Sequence, residues 1–269
     1  MEFFEPIELK KSQFQTICEI VKKISGINLK EGKEALVKAR LIKRLRALGF
    51  KDFDQYINYI QTKEGRAEIT YMVDAITTNK TNFFRESAHF EFLRDRVLKE
   101  VTIKRLRIWS AACSSGEEPY SIAITLLEAI QDISKWDIKI LATDISLEML
   151  KKAKLGVYPL EGVKDVPVSL RNKYFVPIEG GYFAIKDNVK NLIHFAYLNL
   201  MDPWPMKGPF DVIFCRNVMI YFSKETQQTL VNRFYDILKS GGYLLVGHSE
   251  GLVSVRHNFK YVRPATYRK

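Results

Sequence analysis

Three short apolar runs, each followed by a segment of helical period, constrain this chain more than any other feature. Residues 107–112, 138–143 and 210–215 read as strands, and 119–130, 146–155 and 224–238 as the helices after them. A further strand is expected at 243–246, behind Gly241-Gly242. Pro119 stands in the first turn of its helix, where a missing N–H costs nothing. Strands that alternate with helices require a parallel sheet covered by helices. Such sheets bind ligands beyond the carboxyl ends of their strands.

Two segments depart from that alternation. Ahead of residue 78 only helical spacing is present. Phe14, Ile17, Val21 and Ile24 form one stripe, with Gly26 as a stop. Val37, Leu41, Leu45 and Leu48 form a second on a helix over about 32–48, with Gly49 just beyond. Tyr56, Ile57 and Ile60, then Ile69, Val73 and Ile76, supply two shorter helices. Within 158–193, the runs 174–178 and 182–185 flank Glu179-Gly180-Gly181 and predict a hairpin with a tight glycine turn. The expected fold is therefore α/β. An all-α domain over 1–78 precedes a sheet domain over 79–269, which carries a small antiparallel insertion at about 158–193.

Composition excludes several classes. Of 269 residues, 46% are hydrophobic and 27% charged, which a disordered or collagen-like chain would not show. No apolar run approaches the ~20 residues that span a bilayer. Glu2, Glu5, Glu8, Lys10 and Lys11 break up the amino terminus, so no secretory signal is expected. Cys18, Cys113 and Cys215 are odd in number and lack CxxC spacing, and the four histidines lack ligand spacing. These patterns predict reduced thiols in a cytoplasmic protein without a metal.

The 42 basic against 31 acidic residues leave a net charge of +11. That suits nucleic acid, a membrane surface or an acidic protein as partner, or simply a basic solvated surface. On the helix over 32–48, Lys33, Arg40, Lys43, Arg44 and Arg46 fall on one arc beside the apolar stripe.

The chemistry concentrates where strands end. The first runs into Ser-Ala-Ala-Cys-Ser-Ser-Gly-Glu-Glu-Pro-Tyr-Ser (110–121), a small-residue turn that lets a ligand approach the backbone. It lacks the GxGxxG dinucleotide fingerprint, and Glu117 and Glu118 at the helix start would repel a pyrophosphate. Two acids there suit a cationic, phosphate-free ligand such as S-adenosylmethionine, or else merely complement the helix dipole. The second strand ends at Asp144, placed either to accept both ribose hydroxyls of an adenosyl group or to cap the next helix. The segment 77–93 sets Asn79, Thr81 and Arg85 among Phe83, Phe84, Phe90 and Phe92. Arg85 offers a two-pronged donor to a carboxylate, or a structural salt bridge.

Six ordered motifs carry a resemblance. They are Thr-Asn-Lys-Thr-Asn-Phe-Phe-Arg-Glu (78–86), Ser-Ser-Gly-Glu-Glu-Pro-Tyr-Ser (114–121), Ala-Thr-Asp-Ile (142–145), Asn199-Leu200, Cys-Arg-Asn-Val-Met-Ile-Tyr-Phe (215–222) and Gly-His-Ser-Glu (247–250). Across essentially the whole chain the sequence resembles the CheR family of chemotaxis receptor glutamate O-methyltransferases. Ser115 stands where that family commonly has threonine.

The resemblance implies a Rossmann-like methyltransferase sheet using S-adenosylmethionine and releasing S-adenosylhomocysteine. It implies a cofactor site of Asn79, Thr81, Arg85, Glu117, Asp144, Asn199, Leu200, Asn217 and Val218, with Glu118 as the alternative to Glu117. Arg85 and Tyr221 look like the side chains beside the transferred methyl. The implied partner is the cytoplasmic helical bundle of methyl-accepting chemotaxis receptors, without membrane insertion. Arg40, Lys43, Arg44 and Arg46 are candidates for docking its acidic helices.

Some members of the family use the hairpin to capture a peptide at the receptor's carboxyl terminus. The short Glu179-Gly180-Gly181 turn predicts independence from such a tether. Two rivals are a nucleic-acid methyltransferase and a non-catalytic module that binds S-adenosylmethionine. Against the first, Asn217-Val218-Met219-Ile220-Tyr221 lacks the paired prolines of adenine methylation. Against the second, Arg85 and Tyr221 are intact.

Overall fold

The computed structural model describes residues 7–269, so Glu2 and Glu5 lie outside the described residues. The described chain up to Thr78, joined by Tyr221–Ser223, forms one compact unit; Asn79–Ile220 with Lys224–Lys269 forms the other.

The first unit is helical: α1 (Lys11–Ser25), α2 (Glu34–Ala47), α3 (Phe53–Ile60) and α4 (Arg66–Ile76). The apolar stripes meet in one core that includes Ile17, Val21, Leu41, Leu45, Phe53, Ile60 and Met72. Gly26 ends α1 in the left-handed conformation at φ 74°, the conformation glycine adopts at little cost. Leu48, expected in the stripe of α2, is instead its exposed cap. Phe222 makes an isolated antiparallel bridge with Ile27, and the Asn28 N–H donates to the Tyr221 carbonyl at 2.7 Å. These bonds draw Tyr221–Ser223 into the helical unit.

The second unit is built on β1 (Arg105–Ala111), β2 (Asp137–Asp144), β3 (Val157–Pro159), β4 (Phe175–Ile178), β5 (Tyr182–Ile185), β6 (Ile193–Tyr197), β7 (Phe210–Cys215), β8 (Leu238–Val246), β9 (Lys260–Arg263) and β10 (Thr266–Arg268). The main sheet has the order β6-β2-β1-β7-β8-β10-β9. Its first five members are parallel, with Ala111 level with Thr143 on one side and Cys215 on the other. β10 and β9 extend the sheet in antiparallel fashion, so it is mixed at one edge. The expected insertion is a separate antiparallel sheet of order β3-β5-β4, which gains β3 beyond the hairpin.

Buried Trp109 on β1 anchors one face, edge-on to Trp204 and Phe234 with ring centroids 4.7 and 5.4 Å away. From central β1 the order runs to β2 on one side and β7 on the other. The topological switch point therefore lies between β1 and β7, where a crevice for a ligand is expected. No described helix is long and apolar enough to cross a membrane.

Candidate functional site

Because β1, β2, β6 and β7 are parallel, their carboxyl ends share one edge of the sheet. All the residues expected to hold the cofactor, apart from the 79–85 segment, stand at or after those ends. Hydrogen bonds join the pieces. The Ser114 N–H donates to Asp144 Oδ2 at 2.7 Å, and the Ser146 N–H donates to Oδ1 at 2.8 Å. The Leu198 N–H donates to the Asp144 carbonyl at 3.0 Å, which ties Asn199 and Leu200 to the end of β2. The Asn199 side chain accepts from the Met201 N–H at 3.0 Å and donates to Asp202 at 3.3 Å.

The 79–86 segment docks on the same turn. The Ser114 hydroxyl donates to the Asn79 carbonyl at 3.0 Å, and the Phe84 N–H donates to Ser121 Oγ at 2.9 Å. Arg85 is half-buried, its Nη1 donating to the Lys80 carbonyl at 2.9 Å, and Thr81 is half-buried too.

Backbone strain marks the same place. Six described non-glycine residues have clearly positive φ. Five of them, Phe84 (52°), Glu86 (57°), Ala112 (67°), Ser114 (49°) and Asn217 (59°), lie in these motifs. Each such conformation costs on the order of 1–3 kcal/mol and persists only where its surroundings impose it. Gly116, at φ 99°, meets the need differently, because a Cβ there would approach that of Ala153 to 2.9 Å.

The two acids of the helix Glu117–Ala129 have different surroundings. Glu118 is committed within the protein, accepting from Ser110 Oγ at 2.7 Å and from Arg216 Nη1 at 2.9 Å. Glu117 is 8% exposed and accepts from Ser115 Oγ at 2.7 Å, with no salt bridge among the described residues. Burial pushes its carboxyl above the usual range, against the opposing pull of the Ser115 hydroxyl and a backbone hydrogen bond. A buried carboxylate without a cation is expensive, and a ligand ammonium would relieve that cost. These carboxylate acceptors fit S-adenosylmethionine and disfavour a phosphate.

Sequence reading gave no role to two residues that organise this edge, Arg216 and Glu86. The side chain of Arg216, just after β7, is 2% exposed and joins Glu118 to Glu86, whose Oε2 lies 3.0 Å from Nη2. Glu86 also accepts from the Asn217 amide at 3.3 Å. Burial raises its carboxyl, but Arg216 and these hydrogen bonds outweigh that and hold it below the ordinary value. Glu250 accepts from the Asn217, Gly247 and Ile220 N–H groups at 2.6, 2.7 and 3.1 Å. A Cβ at Gly247 would come within 2.6 Å of that carboxylate. The one available signal was a charged residue directly behind an apolar strand in Phe-Cys-Arg-Asn.

Val218 is half-buried, and Tyr221 lies with the helical unit. Glu86, His89 and His248 bring ligand atoms within 4.8 Å of one another. The Glu86 oxygen facing both rings already bears the Arg216 guanidinium, which repels a divalent cation.

The basic arc on α2 is divided. Arg40 donates to the carbonyls of Ile76 and Thr77 and to Thr78 Oγ1, closing the end of α4. Arg44 grips Glu68 through Nε and Nη2 at 2.8 and 2.5 Å, and the Tyr56 hydroxyl donates to the same carboxylate at 3.1 Å. Lys43 and Arg46 remain exposed.

Residues 79–268 match the family described as "CheR methyltransferase, SAM binding domain", and residues 12–77 match "CheR methyltransferase, all-alpha domain". The chain is 42% identical to the chemotaxis protein methyltransferase of Borreliella burgdorferi, covering 98% of this chain and 96% of that one. It is 38% identical to the chemotaxis protein methyltransferase of Salmonella typhimurium, over 96% of this chain and 90% of the relative. The Escherichia coli protein of the same name is also 38% identical, with 96% and 91% covered. An acidic, phosphate-averse turn at the switch point, in a chain matched from end to end, leads to one conclusion: the chain belongs to the CheR methyltransferase family and uses S-adenosylmethionine as methyl donor.

Proposed function

We propose that this chain transfers the methyl group of S-adenosylmethionine to glutamate side chains on the cytoplasmic helical bundle of chemotaxis receptors. The observation that carries the reading is Glu117, a buried carboxylate at the carboxyl end of β1 with no cation beside it among the described residues. In this reading Glu117 binds the cofactor's ammonium, while Glu118 is spent on Arg216. Asp144, oriented by Ser114 and Ser146, accepts from the ribose hydroxyls. Asn79, Thr81, Asn199, Leu200, Asn217 and Val218 complete the cofactor site. The names of the relatives support a chemotaxis protein as substrate.

Held by Glu117 and Asp144, S-adenosylmethionine would supply a sulfonium-activated methyl for transfer to a carboxylate oxygen, with the C–S electron pair staying on the sulfur of the leaving S-adenosylhomocysteine and no proton changing hands. A substrate glutamate with a pKa near 4.3 is already ionised at neutral pH, so this chain needs no general base. Its work is positioning and exclusion of water. Arg85 and Tyr221 orient the carboxylate. Their role is geometric, because tighter ground-state binding alone would not speed transfer. Incubation with a receptor cytoplasmic fragment should give alkali-labile methyl esters that peptide mass mapping places on glutamates. Alkali-stable methylation, or none, would refute the reading.

The reaction takes place in the cytoplasm, where Cys113 and Cys215 stay buried thiols. Docking on acidic receptor helices then rests on exposed Lys43 and Arg46, with Arg40 and Arg44 shaping the helical unit that presents them. The double variant Lys43→Glu/Arg46→Glu should methylate receptor about tenfold more slowly at physiological salt and bind S-adenosylhomocysteine normally. Unchanged methylation would remove α2 from the docking surface.

The turn between β4 and β5 is only Glu179–Gly181. An isolated peptide from a receptor's carboxyl terminus should accordingly show no binding in a fluorescence titration. A measurable complex would contradict this independence from a tether.

A further inference from the structure

Arg85 sits between two residues of positive φ, Phe84 at 52° and Glu86 at 57°. A phenylalanine in that region is an outlier that something must hold. On one side Ser121 Oγ accepts from the Phe84 N–H at 2.9 Å. On the other the buried Arg216 guanidinium donates from Nη2 to the Arg85 carbonyl and to Glu86 Oε2, while Nη1 is anchored on Glu118. Asn217, itself at φ 59°, adds its amide to the other oxygen of Glu86. The Arg216 guanidinium also lies 5.7 Å from the Phe90 ring centroid, which limits its movement.

We propose that Arg216 is a positioning residue for methyl transfer: its guanidinium grips the backbone at Arg85 and Glu86 and so fixes where the Arg85 side chain projects. The proposal rests on the reading of Arg85 as the side chain that orients the accepting carboxylate. A planar fork is needed because one group serves a carboxylate on Glu118, a carboxylate on Glu86 and a carbonyl. A lysine ammonium at this position keeps the charge and loses the span. Among the described residues the Arg85 side chain bonds only to the Lys80 carbonyl, so fixing it through its backbone leaves its guanidinium oriented yet available.

The test compares Arg216→Lys with Arg85→Ala and wild type. Four readouts are needed: kcat and KM for a receptor cytoplasmic fragment, affinity for S-adenosylhomocysteine, urea midpoint, and amide hydrogen exchange at residues 84–86. Arg216→Lys should lose about 100-fold in kcat, the cost of a misplacement near 1 Å. It should keep S-adenosylhomocysteine affinity within about threefold and show faster exchange at 84–86. Wild-type kcat and unchanged exchange in Arg216→Lys, with Arg85→Ala inactive, would overturn the proposal. Full activity in Arg85→Ala would instead overturn the reading on which it rests. Should the lysine variant not fold, Glu118→Gln frees the far anchor of the same guanidinium. A kcat loss of at least about tenfold with faster exchange then supports the clamp, and no change in either overturns it.

Discussion

Glutamine at position 117 should weaken binding of S-adenosylhomocysteine by roughly 30- to 100-fold at neutral pH. The wild-type carboxylate is buried, held by Ser115 and lacking any salt bridge among the described residues, so in the proposed reading its charge is met by a ligand cation. A charge-assisted hydrogen bond of this kind contributes about 2–2.7 kcal/mol, which corresponds to that range.

The sign for the unliganded protein is opposite. The folded-state pKa of Glu117 is raised, mainly by burial, so its contribution to stability is full below the unfolded pKa and is lost as pH rises through the folded one. Glu117→Gln should therefore unfold at the same or a higher urea concentration than wild type at neutral pH, despite losing its ligand. Affinity runs the other way. Lowering the pH through the raised pKa should protonate Glu117 and weaken wild-type binding, and the variant should lack that part of the dependence. Calorimetric titration at several pH values reads both effects. An unchanged affinity would shift the cation-binding role elsewhere.

The second large effect is expected at Arg85. Arg85→Ala should cut kcat for receptor methylation by about 10²–10³, the range seen when a preorganised donor is lost. Its urea midpoint should stay near wild type, because the side chain is half-buried and, among the described residues, bonds only to the Lys80 carbonyl. Its affinity for S-adenosylhomocysteine should change by less than about tenfold. A purely structural salt bridge at Arg85 would reverse this pattern, with stability falling and kcat spared.

These effects could be argued because the site's charge pattern is local in sequence. Adjacent acids opening a helix in place of a glycine fingerprint are visible without coordinates, and so is an acid ending the next strand. Parallel β1, β2 and β7 were legible for a similar reason, since apolar runs bounded by helical segments leave few alternatives. The strands toward the two margins of the sheet carry no such mark. Half-exposed β6 includes His194, and β9 and β10 carry Lys260, Arg263 and Arg268, so none of the three reads as a buried run.

The same limit hid the inward half of the basic arc. Helical period shows which residues share a face of α2 but not that Glu68, on α4, waits for Arg44. Arg216 was hidden more deeply, for a charged residue is expected outside. Only the convergence of Glu86 from the 79–86 segment and Glu118 from the β1 turn explains its burial.

Calorimetric titration of the wild-type protein with S-adenosylhomocysteine, set against NAD and ATP, tests the proposed acidic, phosphate-averse cofactor site most directly. One molecule of S-adenosylhomocysteine per chain should bind, with affinity falling on acidification, and neither phosphate-bearing nucleotide should compete. Silence with S-adenosylhomocysteine, or its displacement by NAD or ATP, would contradict the account.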